Sequence, residues 1–304
     1  MLPASAPRTP SYQFQFSSTD GLRIACVRWD TCGLARGVVQ IADGMGEHIG
    51  RYDGLIELLV ESGVVVDGND HRGHGRTAPS PKALGDFGDG GFCLLAQDMF
   101  QLTLIAKKEN LGNRVSCWGT AWDRLRRNCT RSITAVSSPG LALSGSGALD
   151  GLVQLAKSAP QGEENILNRA FQPARTPFDW LSRETAVVDA FMNDPSCFGA
   201  LRPSSTESFW PPPPFLPTLP VSNIRSDLPI YLCAGSDDPV GQRLEGLRIL
   251  IERYRAVGVQ NLSHDFYPGG RHEMLNEVNR AEVRANLLRW ISSVLEAHAS
   301  KEAS

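Results

Sequence analysis

The spacing of hydrophobic and polar positions changes along the chain, and each change assigns an element. Tyr12 to Ser17 and Leu22 to Trp29 alternate or run apolar on either side of Thr19-Asp20-Gly21, which predicts an antiparallel hairpin. Gly37 to Ala42 is a short apolar run bounded by glycines, the pattern of a strand buried in a parallel sheet. Leu55, Leu58 and Leu59 put helical spacing on 52–62, and Gly63 stops it. Val64 to Asp70 predicts the next strand, with Asp67 as a misfit where a tyrosine, one base away, would suit better. From Phe92 to Asn110, Leu95, Met99, Leu102 and Ile105 share one helical face. Val115 to Trp118 and Leu141 to Ser144 predict two further strands.

The alternation then lapses. From Gly147 to Ser226 there are short amphipathic segments, a helix-like piece from Glu184 to Met192 and a proline run from Phe209 to Pro220, but no clear strand. It resumes with a strand at Pro229 to Ala234, a helix at Gln242 to Val257, a strand at Asn261 to Tyr267 and a helix at Glu277 to Ala297. Repeated strand–helix–strand units with short connections predict an α/β protein with a doubly wound, mostly parallel sheet.

Composition narrows this. With 304 residues, 41% hydrophobic and 21% charged, the chain can bury one large core. The net charge of −3, with no basic stripe, argues against a nucleic-acid partner. No run of about 18 apolar residues predicts a membrane span, and no apolar segment follows the N-terminus as in a signal peptide. The seven cysteines are scattered and lack metal spacing. They predict small buried hydrophobes in a reducing compartment, hence a cytoplasmic location.

Four polar, glycine-rich motifs follow strands: Asp43-Gly-Met-Gly-Glu-His48, Asp70-His-Arg-Gly-His-Gly75, Gly235-Ser-Asp-Asp-Pro239 and Gly270-Arg-His-Glu273. From about Gly21 to Leu295 the chain resembles the monoacylglycerol lipase / lysophospholipase family of α/β-hydrolases, and Gly44 to Tyr52 and Asp70 to Gly75 carry most of the likeness. The resemblance implies an α/β-hydrolase core at 1–146 and 227–304, with a helical cap inserted at 147–226. It implies a serine-hydrolase mechanism without cofactor or metal, acting on a small lipid or ester. Transient membrane contact to collect lipid fits that expectation. Asp238 would be the catalytic acid and His272 the base, in the chain order this fold uses. The backbone N–H groups of Met45 and Trp122 would form the oxyanion hole. Phe178, Trp180, Phe191 and Met192 are candidate contacts for the acyl chain, or equally for packing within the cap. Glu47, His48, Arg51 and Tyr52 are expected to fix the oxyanion loop, and Asp70 to His74 to form a structural turn.

One part departs from the pattern. The strand ending at Trp118 should run into Gly-x-Ser-x-Gly, the turn that exposes a serine nucleophile. The chain reads Gly119-Thr-Ala-Trp-Asp123, with Ala121 at the nucleophile position and Asp123 at the second glycine. A methyl group cannot attack a carbonyl. Back-translation offers a cause: one C added after a GGC codon for Gly119 converts the following text to Gly-His-Ser-Met-Gly and an amphipathic helix. We therefore expect a compensated frameshift from Thr120 to about Gly140. A second is expected across Phe209 to Pro220, where a one-base shift turns the proline run into an alanine-rich helix. Asp43, where the family has histidine, looks like a further one-base change, because a carboxylate there would repel an oxyanion. Three functions stay open: a lipid esterase, a pseudoenzyme that binds without cleaving, and a hydrolase of another acyl substrate.

Overall fold

The computed structural model describes residues 11–110, the backbone of 115–119, and residues 138–157, 165–209 and 224–302. Among these, eight strands form one sheet: β1 (Ser11–Ser17), β2 (Arg23–Trp29), β3 (Gly37–Ala42), β4 (Val64–Asn69), β5 (Val115–Gly119), β6 (Leu141–Ser144), β7 (Ile230–Gly235) and β8 (Leu262–Tyr267). Their order across the sheet is β1-β2-β4-β3-β5-β6-β7-β8. The β1–β2 hairpin and the β2–β4 pair are antiparallel, and every other pair is parallel.

The helices follow from the same period. α1 (Asp53–Glu61) buries Leu55, Ile56, Leu59 and Val60. α2 (Gly91–Glu109) buries Phe92, Leu95, Met99 and Leu102, and its last turn carries Lys107 and Lys108, which suit the negative end of the helix dipole. α6 (Glu245–Ala256) and α7 (Arg280–Glu302) complete the core. Successive strand residues point to opposite faces, so β3 splits its burial. Val39 and Ile41 join α1 and α7 on one face, while Val38 and Ala42 face α2 on the other. β7 divides likewise: Tyr231 and Cys233 join the α1–α7 side, whereas Ile230, Leu232 and Ala234 pack on α6. Helices on both faces are what a doubly wound sheet requires.

Between β6 and β7 the described residues contain no strand. They form α3 (Leu149–Lys157), a 3-10 turn (Ile166–Phe171), α4 (Thr185–Asn193) and α5 (Pro203–Phe209).

Two expectations need correction. Asp67 is no misfit: it is fully buried and accepts two 2.6 Å hydrogen bonds from Arg28 of β2. Cys93 on α2 is disulfide-bonded, so the cysteines are not all reduced thiols. Its partner lies outside the described side chains; Cys26, Cys32, Cys197 and Cys233 are free.

Candidate active site

The C-terminal ends of the parallel strands carry the polar loops. After β7 the chain turns through Gly235-Ser-Asp-Asp-Pro, and Asp238 is fully buried there. Its Oδ1 accepts the Val240 N–H at 2.9 Å and lies 3.1 Å from His272 Nδ1. After β8 the Gly269–Glu273 loop brings His272 to that carboxylate. The approach depends on a glycine: a Cβ at Gly235 would stand 1.9 Å from the Gly270 carbonyl oxygen. Gly145, after β6, lies against the His272 ring with φ +58°, and a Cβ there would come within 2.8 Å of Cε1. With Nδ1 turned to Asp238, Nε2 of His272 is left for chemistry. Burial works against charging His272, but the nearby Asp238 carboxylate prevails and holds its pKa above the usual imidazole value. This is the arrangement of a general base steadied by a carboxylate.

His272 opens on a cavity of about 260 Å³ whose walls are largely apolar. Phe178, Trp180 and Phe191 line it, as expected; the Trp180 ring lies 5.0 Å from the His272 ring, and Phe178 and Phe191 pack against each other at 4.9 Å. Met192 does not line it and is half exposed on α4. Neighbouring positions on a helix point about 100° apart, and on α4 Phe191 is the one turned inward while Met192 faces solvent. The sequence reading missed Leu152 and Leu155 of α3, Ile166, Leu167 and Phe198. The three-residue spacing of Leu152 and Leu155 was a usable signal. Phe198 offered none, because a backbone hydrogen bond from its N–H to the Gly46 carbonyl, 2.9 Å, places it.

Met45 lines the same cavity from the loop after β3. That loop is pinned from behind. Gly44 N–H donates to Glu47 Oε1 at 2.7 Å, Tyr52 O–H donates to the same carboxylate, and Arg51 joins Glu47 to Glu273, the residue after His272. Asp43 also departs from expectation. It does not line the cavity, but is buried with Oδ1 3.0 Å from His71 Nε2. Burial pushes its pKa well up and pushes His71 down to about 4, so both shifts favour an uncharged pair. The expected repulsion of an oxyanion by a bare carboxylate therefore loses its basis. Ala121 and Trp122 lie outside the described residues, as do 120–137 and 210–223.

A family model described as serine aminopeptidase, S33 (Hydrolase_4) matches residues 33–279. The chain belongs to this hydrolase family. It is similar to the monoacylglycerol lipase of Mycolicibacterium smegmatis, with 26% identity over 93% of this chain and 98% of that one. A monoglyceride lipase homolog of Monkeypox virus is 40% identical over 21% of this chain and 24% of its own length. Among solved structures, a thermostable carboxyl esterase from Bacillus coagulans in complex with glycerol superposes with a TM-score of 0.79 at 26% identity, covering 94% of this chain and 99% of the other. A soluble variant of the Saccharomyces cerevisiae monoglyceride lipase shares the fold at a TM-score of 0.73 and 17% identity, covering 96% of this chain and 98% of the other. The hydrolase thus has the α/β-hydrolase fold. No described helix is long and apolar enough to cross a membrane.

Proposed function

We propose that the intact gene product is a carboxylic-ester hydrolase of the monoacylglycerol lipase or lysophospholipase type. The observation that carries this is the Asp238–His272 pair opening on an apolar cavity large enough for an acyl chain. A serine at position 121 would attack the ester carbon while His272 Nε2 takes its proton. The Met45 and Trp122 N–H groups would hold the developing oxyanion. His272 would return the proton to the leaving alcohol, and water would repeat the cycle on the acyl-enzyme. Asp238 keeps the ring oriented and favours its charged form. Residues 147–226 form the cap whose shape selects the acyl group. The similarity to a monoacylglycerol lipase over nearly the whole chain supports this substrate class. A cytoplasmic location is part of the proposal; the Cys93 disulfide weighs against a strictly reducing compartment, and counting thiols in denatured, freshly isolated protein decides it.

The second reading is a pseudoenzyme, and Ala121 favours it directly. A third, another acyl substrate, shares the same machinery. Sequencing the gene across codons 115 to 145 tests the frameshift: codons that cannot spell serine after a one-base shift refute it. A fluorophosphonate probe applied to protein from the native source then separates enzyme from pseudoenzyme, since only a nucleophilic serine is labelled.

A further inference from the structure

Away from the Asp238–His272 pair, three side chains of different ligand chemistry converge. His48 follows the oxyanion loop, whereas Asp194 and Cys197 belong to the Asp194-Pro-Ser-Cys197 turn that ends α4. One ligand atom from each lies within 4.8 Å of the other two. The turn is ordered for presentation: Asp194 Oδ1 accepts the Ser196 N–H at 2.8 Å, the Cys197 N–H reaches the Asp194 carbonyl at 3.1 Å, and Asp194 Oδ2 faces His48 Nε2 at 2.8 Å. All three side chains are partly exposed, so an ion can enter from solvent.

We propose that His48, Asp194 and Cys197 form a zinc site that ties the loop after β3 to the segment after α4. One nitrogen, one carboxylate oxygen and one sulfur suit Zn²⁺, whereas Mg²⁺ and Ca²⁺ take oxygen ligands. Three protein ligands leave the fourth tetrahedral position to water. Zinc bonds of about 2.0–2.3 Å place ligand atoms roughly 3.3–3.8 Å apart, so Asp194 Oδ2 and His48 Nε2, now 2.8 Å apart, must open by roughly 0.5 Å, while separations to Cys197 Sγ of up to 4.8 Å close. The protons balance simply. The Cys197 thiol gives its proton to solvent, and the His48 ring proton moves from Nε2 to Nδ1, giving up the 3.2 Å contact from Gly50 N–H. Two anionic ligands then neutralise the ion. The nearby Arg51 is already matched by Glu47 and Glu273 and leaves no excess positive charge at the site. The next residue, Phe198, lines the cavity and is hydrogen-bonded to Gly46, so a bound ion fixes the cavity wall against the oxyanion loop. None of this rests on the ester-hydrolase reading.

The test uses the full chain stripped with chelator and titrated with ZnCl₂ against a chromophoric competitor. One equivalent is expected, with a rise in Tm. Cys197→Ser and Asp194→Asn should each weaken binding by about tenfold or more, a loss that even supporting residues of zinc sites produce. Cys32→Ser, at an exposed free cysteine, should leave it unchanged. Co²⁺ in place of zinc should show a thiolate charge-transfer band that Cys197→Ser abolishes. No zinc uptake in the titration, zinc binding indifferent to both site substitutions, or a cobalt spectrum without the band overturns the proposal. If a variant fails to fold, the cobalt spectrum of the unaltered chain decides alone.

Discussion

At Asp67, β4 carries a fully buried carboxylate, and Arg28 meets it with two hydrogen bonds. The period of the strand predicted an apolar or aromatic residue there, because periodicity scores one strand and does not see its neighbour. Register does: Arg28 stands opposite Asp67 in the antiparallel β2–β4 pair. Asp67→Tyr should therefore destabilise the protein by about 3–5 kcal/mol, since it leaves the buried guanidinium with only the half-exposed Glu109. A urea midpoint equal to that of the unaltered chain would show that the tyrosine preference was sound. Asp238 and His272 were legible because each sits in a glycine-bounded turn just after a strand. Their pairing has a pH consequence. The folded pKa of His272 is raised above 6.5, so its contribution to stability is fully present below that value and is lost as pH rises through the folded one. Asp238→Asn removes the strongest opposition to burial and leaves the weaker pull of Glu273 and Glu47. The His272 midpoint, followed by NMR of its ring proton, should fall from its raised value.

Strands were read almost to the residue, because their edges coincide with Gly, Pro and Asp. Helix starts were read less well. The spacing predicted a helix from Gln242, but α6 begins at Glu245. Gln242, Arg243 and Leu244 have φ of 51°, 52° and 73°, a left-handed run that their residue types do not advertise. The tie between loops was only half visible. The sequence suggested that Arg51 braces its own loop, whereas it also bonds to Glu273 at 2.7 Å, 222 residues away. Arg51 thus holds the loop after β3 and the His272 loop in one unit. Arg51→Ala strands two buried carboxylates, and a loss of about 3–5 kcal/mol is expected at pH 7.5. Burial already pushes the Glu273 pKa up with the guanidinium present. Without it the carboxyl takes a proton more readily, so the penalty should shrink as pH falls towards the usual carboxylate range. Urea melts at pH 7.5 and pH 5 check this; an equal loss at both would show that the guanidinium acts by packing on Phe191, 5.0 Å from its ring, rather than by charge.

For the whole molecule, periodicity predicted a doubly wound, mostly parallel sheet, but it could not give the strand order, which depends on crossovers between distant segments. The structure gives it as β1-β2-β4-β3-β5-β6-β7-β8. After β5 the sequence reads Thr120-Ala-Trp-Asp123, where the family pattern would put the nucleophile. If the missing hydroxyl were the whole defect, Ala121→Ser would restore an esterase. The turn after a parallel strand is tight, however, and position 123 needs a glycine for helix and strand to approach closely. On the proposed mechanism Asp123 would add a Cβ and a negative charge near the developing oxyanion, a repulsion of several kcal/mol in order of magnitude. The resemblance puts an apolar helix where the sequence has Arg124, Arg126, Arg127 and Arg131, so on the proposed mechanism a helix dipole facing the oxyanion would be compromised as well. The chain as written should be inert towards p-nitrophenyl esters, and Ala121→Ser should recover little. Restoring the whole block from Thr120 to Gly140 to its shifted reading should recover hydrolysis of a medium-chain monoacylglycerol, and His272→Ala in that revertant should abolish it. Equal rates for the single variant and the block revertant would mean that the fold around the turn tolerates the written sequence and that only the hydroxyl was lost.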